Sequence, residues 1–154
     1  MSRKQKALSF FETHNCCQAV LHAFADELAL SETSCIRLGA AFGRGMSRGE
    51  TCGAIIAAYM AIGLKTTAID DDEITQQADD RMLRFNKRFT AAHGSLQCKE
   101  LLGVNVLTPR GKRIARERDL FNRFCPRFVE SAVAILEDEL VEKTEAIPGN
   151  RQQG

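Results

Sequence analysis

Six cysteines, Cys16, Cys17, Cys35, Cys52, Cys98 and Cys125, carry the most chemical potential in this chain of 154 residues. A thiolate attacks disulfides and is a soft ligand for metals, so each thiol is a candidate for redox or metal work. Their spacing excludes several familiar sites. No two form a Cys-x-x-Cys pair, which argues against a zinc ribbon or a thioredoxin motif. Covalent haem attachment through Cys-x-x-Cys-His is excluded for the same reason.

Position along the predicted helices separates the six. Asn15 is a good N-cap, so Cys16 opens a helix whose apolar stripe runs through Cys17, Val20, Leu21, Phe24 and Leu28. Cys52 follows Thr51 at the start of a helix that is apolar nearly all round, from Cys52 to Leu64. Cys98 lies just after a predicted cap at Ser95. Cys125 precedes Pro126, a cap-plus-proline signature for the start of the last helix. These four thiols fall in first turns, where free N–H groups and the positive dipole end stabilise a thiolate. Arg44 and Arg48, just ahead of Cys52, are candidates for second-sphere charge that offsets several thiolates. Cys17 points about 100° away from Cys16 on the helix, into the apolar stripe, and is read with Cys35 as core.

The elements that must position these residues read as helices throughout, since no stretch alternates with period two for long. Ala7, Phe10 and Phe11 mark a first helix, and Ser31 caps one carrying Cys35, Leu38 and Phe42. Gly43, Gly45 and Gly49 break the pattern in a loop that lacks a P-loop ending and follows a helix, not a strand. The run Asp70 to Glu73 suits a helix N-terminus, and Ile74, Ala78, Met82, Phe85, Phe89 and Ala92 share the face behind it until Gly94. Thr108-Pro109 opens a basic helix near Ile114. The expectation is an all-α, single-domain bundle of about six to seven helices over residues 1–143, with a flexible polar tail over 144–154.

Several segments resemble one family. They are Asn15-Cys16-Cys17-Gln18-Ala19-Val20, Arg48-Gly49-Glu50-Thr51-Cys52-Gly53-Ala54, Gly94 to Gly103 around Cys98, and Cys125-Pro126-Arg127-Phe128-Val129. In this order and spacing they are similar to the redox-active proteins named after the pattern C_GCAxxG_C_C. The resemblance implies a helical domain in which Cys16, Cys52, Cys98 and Cys125 converge on one site, as metal ligands of an iron–sulfur cluster or as redox-active thiols. Two positions depart from the family's pattern: Ala57 stands where relatives tend to have glycine, and Cys17 where a small apolar residue is usual.

Composition narrows the function classes. With 44% hydrophobic and 27% charged residues, the chain can bury a core without disulfide staples. A net charge of +1 creates no global field for nucleic acid or anionic lipid. The longest apolar run, Ala54 to Leu64, is too short to span a bilayer. The charged start is followed by no apolar signal core, so a cytoplasmic location is expected. His14 and His93, near Cys16 and Cys98, read as loop or surface residues, His22 as helix surface, and Met46 in the loop as packing. The Asp70 run lacks calcium-loop spacing, and the basic stretch Arg110 to Arg118 reads as a solvated face. The leading function is electron transfer or redox sensing through an iron–sulfur cluster, which calls for a redox partner protein and allows a homodimer. The alternatives are a metal-free thiol/disulfide oxidoreductase using two of the same thiols and a structural zinc protein. Scattered ligands speak against zinc, whose structural sites use closely spaced pairs.

Overall fold

Side-chain caps set most of the helix starts in the computed structural model, which describes residues 1–150, with side chains as far as Val141. Ser2 caps α1 (Arg3–Phe11) and Asn15 caps α2 (Cys16–Ala23), each in a reciprocal capping box with the glutamine three residues on. Phe24 leaves helical geometry and separates α2 from the short α3 (Ala25–Leu28). Ser31 caps α4 (Glu32–Gly39), Asp70 caps α6 (Asp71–His93), and Thr108 caps α8 (Pro109–Glu117) with proline at its first position. The remaining helices are α5 (Gly53–Leu64), α7 (Cys98–Leu102) and α9 (Leu120–Asn150). The described residues thus hold nine α-helices and no strand, more helices than the six to seven expected. The break at Phe24 accounts for one of the extra pieces. The expected tail from Thr144 falls on residues whose side chains lie outside those described.

Helix α5 occupies the centre because its residues are small and apolar all round. Ala54, Ile55, Ala57, Ala58, Ala61 and Ile62 are all buried, and the alanines let neighbouring backbones approach closely. It packs on α2 and α9, which also touch each other. Around this triangle α1 covers α2 and α9, α4 lies on α2, and α6 lies on α5 and α9. Phe85 and Phe89 of α6, both fully buried, fill the space against α5 and α9.

The last helix starts earlier than the sequence suggests. Cys125 does not cap the last helix; it lies inside α9, which begins at Leu120. Asp119, with φ 51°, turns the chain, and its carbonyl accepts the first bond, from the Arg123 N–H. Pro126 therefore sits within the second turn, where it cannot donate to the carbonyl four residues back. The buried face of Phe128, Val129, Ala132, Val133 and Leu136 outweighs that loss.

Candidate functional site

Two cysteines are placed by pairing of distant backbone. Thr51 and Gln97 form an antiparallel bridge. Beside it the Cys52 N–H donates to Leu96 O at 2.9 Å, and the Cys98 N–H donates to Glu50 O at 2.6 Å. Cys52 is thus the N-cap residue of α5, and Cys98 the first residue of α7. Ser95, the expected cap before Cys98, instead accepts from the Gln97 N–H at 3.0 Å and donates to Glu100. Cys16 is held by the capping box of α2, whose members also reach outward. Asn15 Nδ2 donates to Gly39 O at 3.0 Å, and Gln18 Nε2 donates to Ile36 O at 2.8 Å, tying the start of α2 to the end of α4.

Next to Cys16 the packing leaves no room for a side chain at Gly53. A Cβ there would stand 2.4 Å from Phe42 O and 2.7 Å from Cys16 Sγ. That close approach aims the free N–H groups of Gly53 and Ala54 at the Cys16 sulfur, which also accepts from the Cys17 N–H and from the Cys52 thiol. The Cys52 hydrogen bond leads these effects, and together they outweigh burial and bring the Cys16 pKa down to about 7. Cys52, which donates that bond in a buried setting, is pushed well up. Burial raises Cys98 to about 11, helped by the Cys16 charge and opposed by Arg44. Burial first, then the charges of Cys16 and Cys98, also push Cys125 up. Cys16 is accordingly the thiolate of the group at neutral pH. Its alkylation by iodoacetamide in metal-free protein should rise through about pH 7 and precede that of Cys98 and Cys125, as read by peptide mass spectrometry. Equal modification of all of them only above pH 9 would contradict the hydrogen-bond arrangement.

All four of these cysteines line one pocket of about 460 Å³. Its walls are largely apolar, with Phe11, Leu101, Leu102, Phe121 and Phe128, and His14 and Arg44 add polar groups. The thiols are not drawn into a ready coordination shell: among the described residues no three His, Cys, Asp or Glu side chains form a group that could hold a metal ion. Cys17 and Cys35 are fully buried and lie off the pocket; burial raises the Cys17 thiol to about 12. Arg48 lies off it as well, exposed and paired with Glu50 at 3.1 Å.

Arg44 enters the pocket wall from an unusual turn. Arg44, Gly45, Met46 and Ser47 all have left-handed backbone, with φ of 55°, 60°, 60° and 54°. For the three that carry a Cβ this costs about 3–6 kcal/mol in total. The turn is closed by bonds from Ser47 N–H to Gly43 O and from Glu50 N–H to Gly45 O. Gly45 has no alternative, because a Cβ would meet the Glu50 backbone at 2.5 Å. Of the histidines, His14 stacks on Phe10 with centroids 3.8 Å apart, while Nε2 of His93 lies 2.7 Å from Ser131 Oγ, away from the pocket. Sequence reasoning missed Phe121, which precedes the expected start of the last helix, and Phe11, which reads as plain core.

The family model described as "Putative redox-active protein (C_GCAxxG_C_C)" matches residues 14–139, a span containing all four pocket cysteines. The chain belongs to this family. Comparison with curated proteins and with solved structures found no match. Membership in the C_GCAxxG_C_C family makes redox activity the coarse function, and the matched span holds the four cysteines that line the pocket. No helix among the described residues is long and apolar enough to cross a membrane.

Proposed function

We propose that this C_GCAxxG_C_C protein carries electrons or senses redox state through an iron–sulfur cluster held by Cys16, Cys52, Cys98 and Cys125. The observation that carries this reading is the lining of one 460 Å³ pocket by all four thiols, from α2, α5, α7 and α9. What supports this reading is the chemistry of the donors, four soft sulfurs, one of them with a pKa near neutrality, in a largely apolar setting. As placed, the thiols do not form a coordination shell, so binding would draw them closer together. When bound, a cluster supplies a one-electron reservoir. The chain supplies the rest. N–H groups at the starts of α2 and α5 donate to the Cys16 sulfur and stabilise its negative charge. Arg44 favours the anion at Cys98. Phenylalanine and leucine side chains make most of the wall around the sulfurs apolar.

A second reading has its own support in the hydrogen bond between the Cys52 thiol and Cys16. Here the Cys16 thiolate attacks a substrate disulfide and releases one thiolate, which takes a proton. Cys52, losing its proton to the second leaving sulfur, then displaces the mixed disulfide. The products are a Cys16–Cys52 disulfide and a reduced dithiol. Substitutions separate the two readings. In protein purified without oxygen, serine at any of the four pocket positions should sharply weaken visible charge-transfer absorption. Cys17→Ala and Cys35→Ala should retain it and lose about 1 kcal/mol of stability each through a small cavity. If serine at Cys98 and Cys125 has no effect on redox behaviour while Cys16 and Cys52 are essential, the dithiol reading replaces the cluster.

A further inference from the structure

Between Arg110 and Arg127 the chain carries seven arginines and lysines against two acidic residues, Glu117 and Asp119. That local excess of five sits in a chain whose total is +1, so the remainder carries an excess of four negative charges. All seven cations are exposed, and among the described residues none is in an ion pair. By contrast Arg3, Arg48, Arg84 and Arg88 each have a carboxylate partner. A solvated helix face ordinarily mixes signs and pairs across a turn, which α8 does not do.

The location makes the cluster of charge informative. Lys112 and Arg116 of α8 line a second pocket, of about 320 Å³, together with Arg44 and Phe121. Arg44 and Phe121 also line the cysteine pocket, so the two cavities share a wall. The Arg44 guanidinium lies 5.8 Å from the Phe121 ring centroid, and those of Arg123 and Arg127 lie 5.7 and 5.9 Å from that of Phe124, the residue before Cys125. The basic surface therefore borders the thiol pocket, while acidic runs such as Asp70–Glu73 and Asp79–Asp80 stand on α6, a different element. Such an asymmetric charge distribution orients an incoming partner before contact.

We propose that the α8 surface, with Lys112 and Arg116 at its centre and Arg44 at the pocket rim, docks a protein whose own redox group is ringed by carboxylates. The partner's class rests on the redox reading of the cysteine pocket; the docking surface rests on charge and position. Nucleic acid fits less well, because the exposed basic surface offers no fully exposed aromatic ring for bases to stack on and the rest of the molecule is net acidic.

The test measures binding of three probes: an acidic ferredoxin, a short poly-L-glutamate and a single-stranded RNA of matched charge. The acidic protein and peptide should bind at low salt and weaken steeply as the Debye length falls to about 3 Å at 1 M. The double change Lys112→Glu and Arg116→Glu should lower affinity at least about tenfold, and the glutamine pair should lower it by a smaller factor. Asp79→Lys with Asp80→Lys should not weaken it. Unchanged binding in both the glutamate and glutamine variants would overturn the proposal, as would tighter binding of RNA than of either acidic probe. Because binding and not colour is read, the outcomes separate from those of the cysteine centre. Metal-free protein that still needs Lys112 and Arg116 would refute the cluster and keep the docking surface. Brown protein indifferent to the reversals would do the opposite.

Discussion

Replacing Gly53 by alanine is expected to cost about 3 kcal/mol of stability, at the upper end of ordinary overpacking. The added methyl would stand 2.4 Å from the Phe42 carbonyl and 2.7 Å from Cys16 Sγ, and a backbone carbonyl cannot swing aside. Relief requires α5 to back away from the start of α2. That movement lengthens the hydrogen bonds which hold Cys16 ionised, so its reactivity near pH 7 should fall together with stability. Gly63, on the same helix, is the internal control, since nothing lies within 4 Å of a Cβ there. Gly63→Ala should stabilise by up to about 1 kcal/mol through helix propensity alone. Urea unfolding of the two variants checks both signs. Equal small effects would mean that α2 and α5 are not in close contact at the thiols.

Phe89→Ala is expected to cost about 3–5 kcal/mol, as large-to-small changes of a fully buried phenylalanine do. Phe89 links the core to the site. Its ring lies 6.1 Å from that of Phe85 on one side and 6.3 Å from that of Phe128 on the other, and Phe128 forms part of the cysteine pocket. The loss should therefore appear both in the urea midpoint and as faster alkylation of the pocket thiols, because the wall that shields them loosens. Leu83→Ala, at a side chain on the same helix that is 62% exposed, should stay within about 0.5 kcal/mol of wild type. A Phe89→Ala protein as stable as wild type would contradict the packing of α6 on α9.

What the sequence made legible was local. Asn15, Ser31, Asp70 and Thr108 announce helix starts because a short polar side chain can satisfy N–H groups a few residues ahead, and each does so in the structure. Gly94, with φ 85°, ends α6 as its position suggested. The separation of Cys17 from Cys16 follows from helical rotation and needs no long-range information. Long-range relations were harder to read. The bridge between Thr51 and Gln97 joins segments too short to show strand alternation, so the shared placement of Cys52 and Cys98 was invisible in either segment alone. The left-handed turn at Arg44–Ser47 uses two non-glycine residues after Gly45, where propensity predicts a glycine loop and nothing more specific. Cys125-Pro126 misled because proline in a first turn and proline one turn later leave the same local trace. Only the buried face of α9 and the turn at Asp119 decide between them.

Arg110 to Arg118 reads as a solvated face, and its cations are indeed exposed. The sequence did not show that the carboxylates of Glu117 and Asp119 leave those cations without an ion pair. Asp119 instead accepts from Asn122 Nδ2 at 2.8 Å. The contact between this basic region and the cysteine pocket depends on Arg44 and Phe121, one before α5 and one at the start of α9, and no sequence window contains both.

Iron and acid-labile sulfide analysis of the protein purified without oxygen, read beside its visible spectrum, tests the central claim most directly. The account predicts a brown protein with iron and sulfide in comparable amounts. It should bleach in air, and its free thiols should then fall two at a time as pairs oxidise. A colourless protein, free of iron and sulfide, in which Cys16 and Cys52 alone support reduction of a disulfide substrate would contradict it.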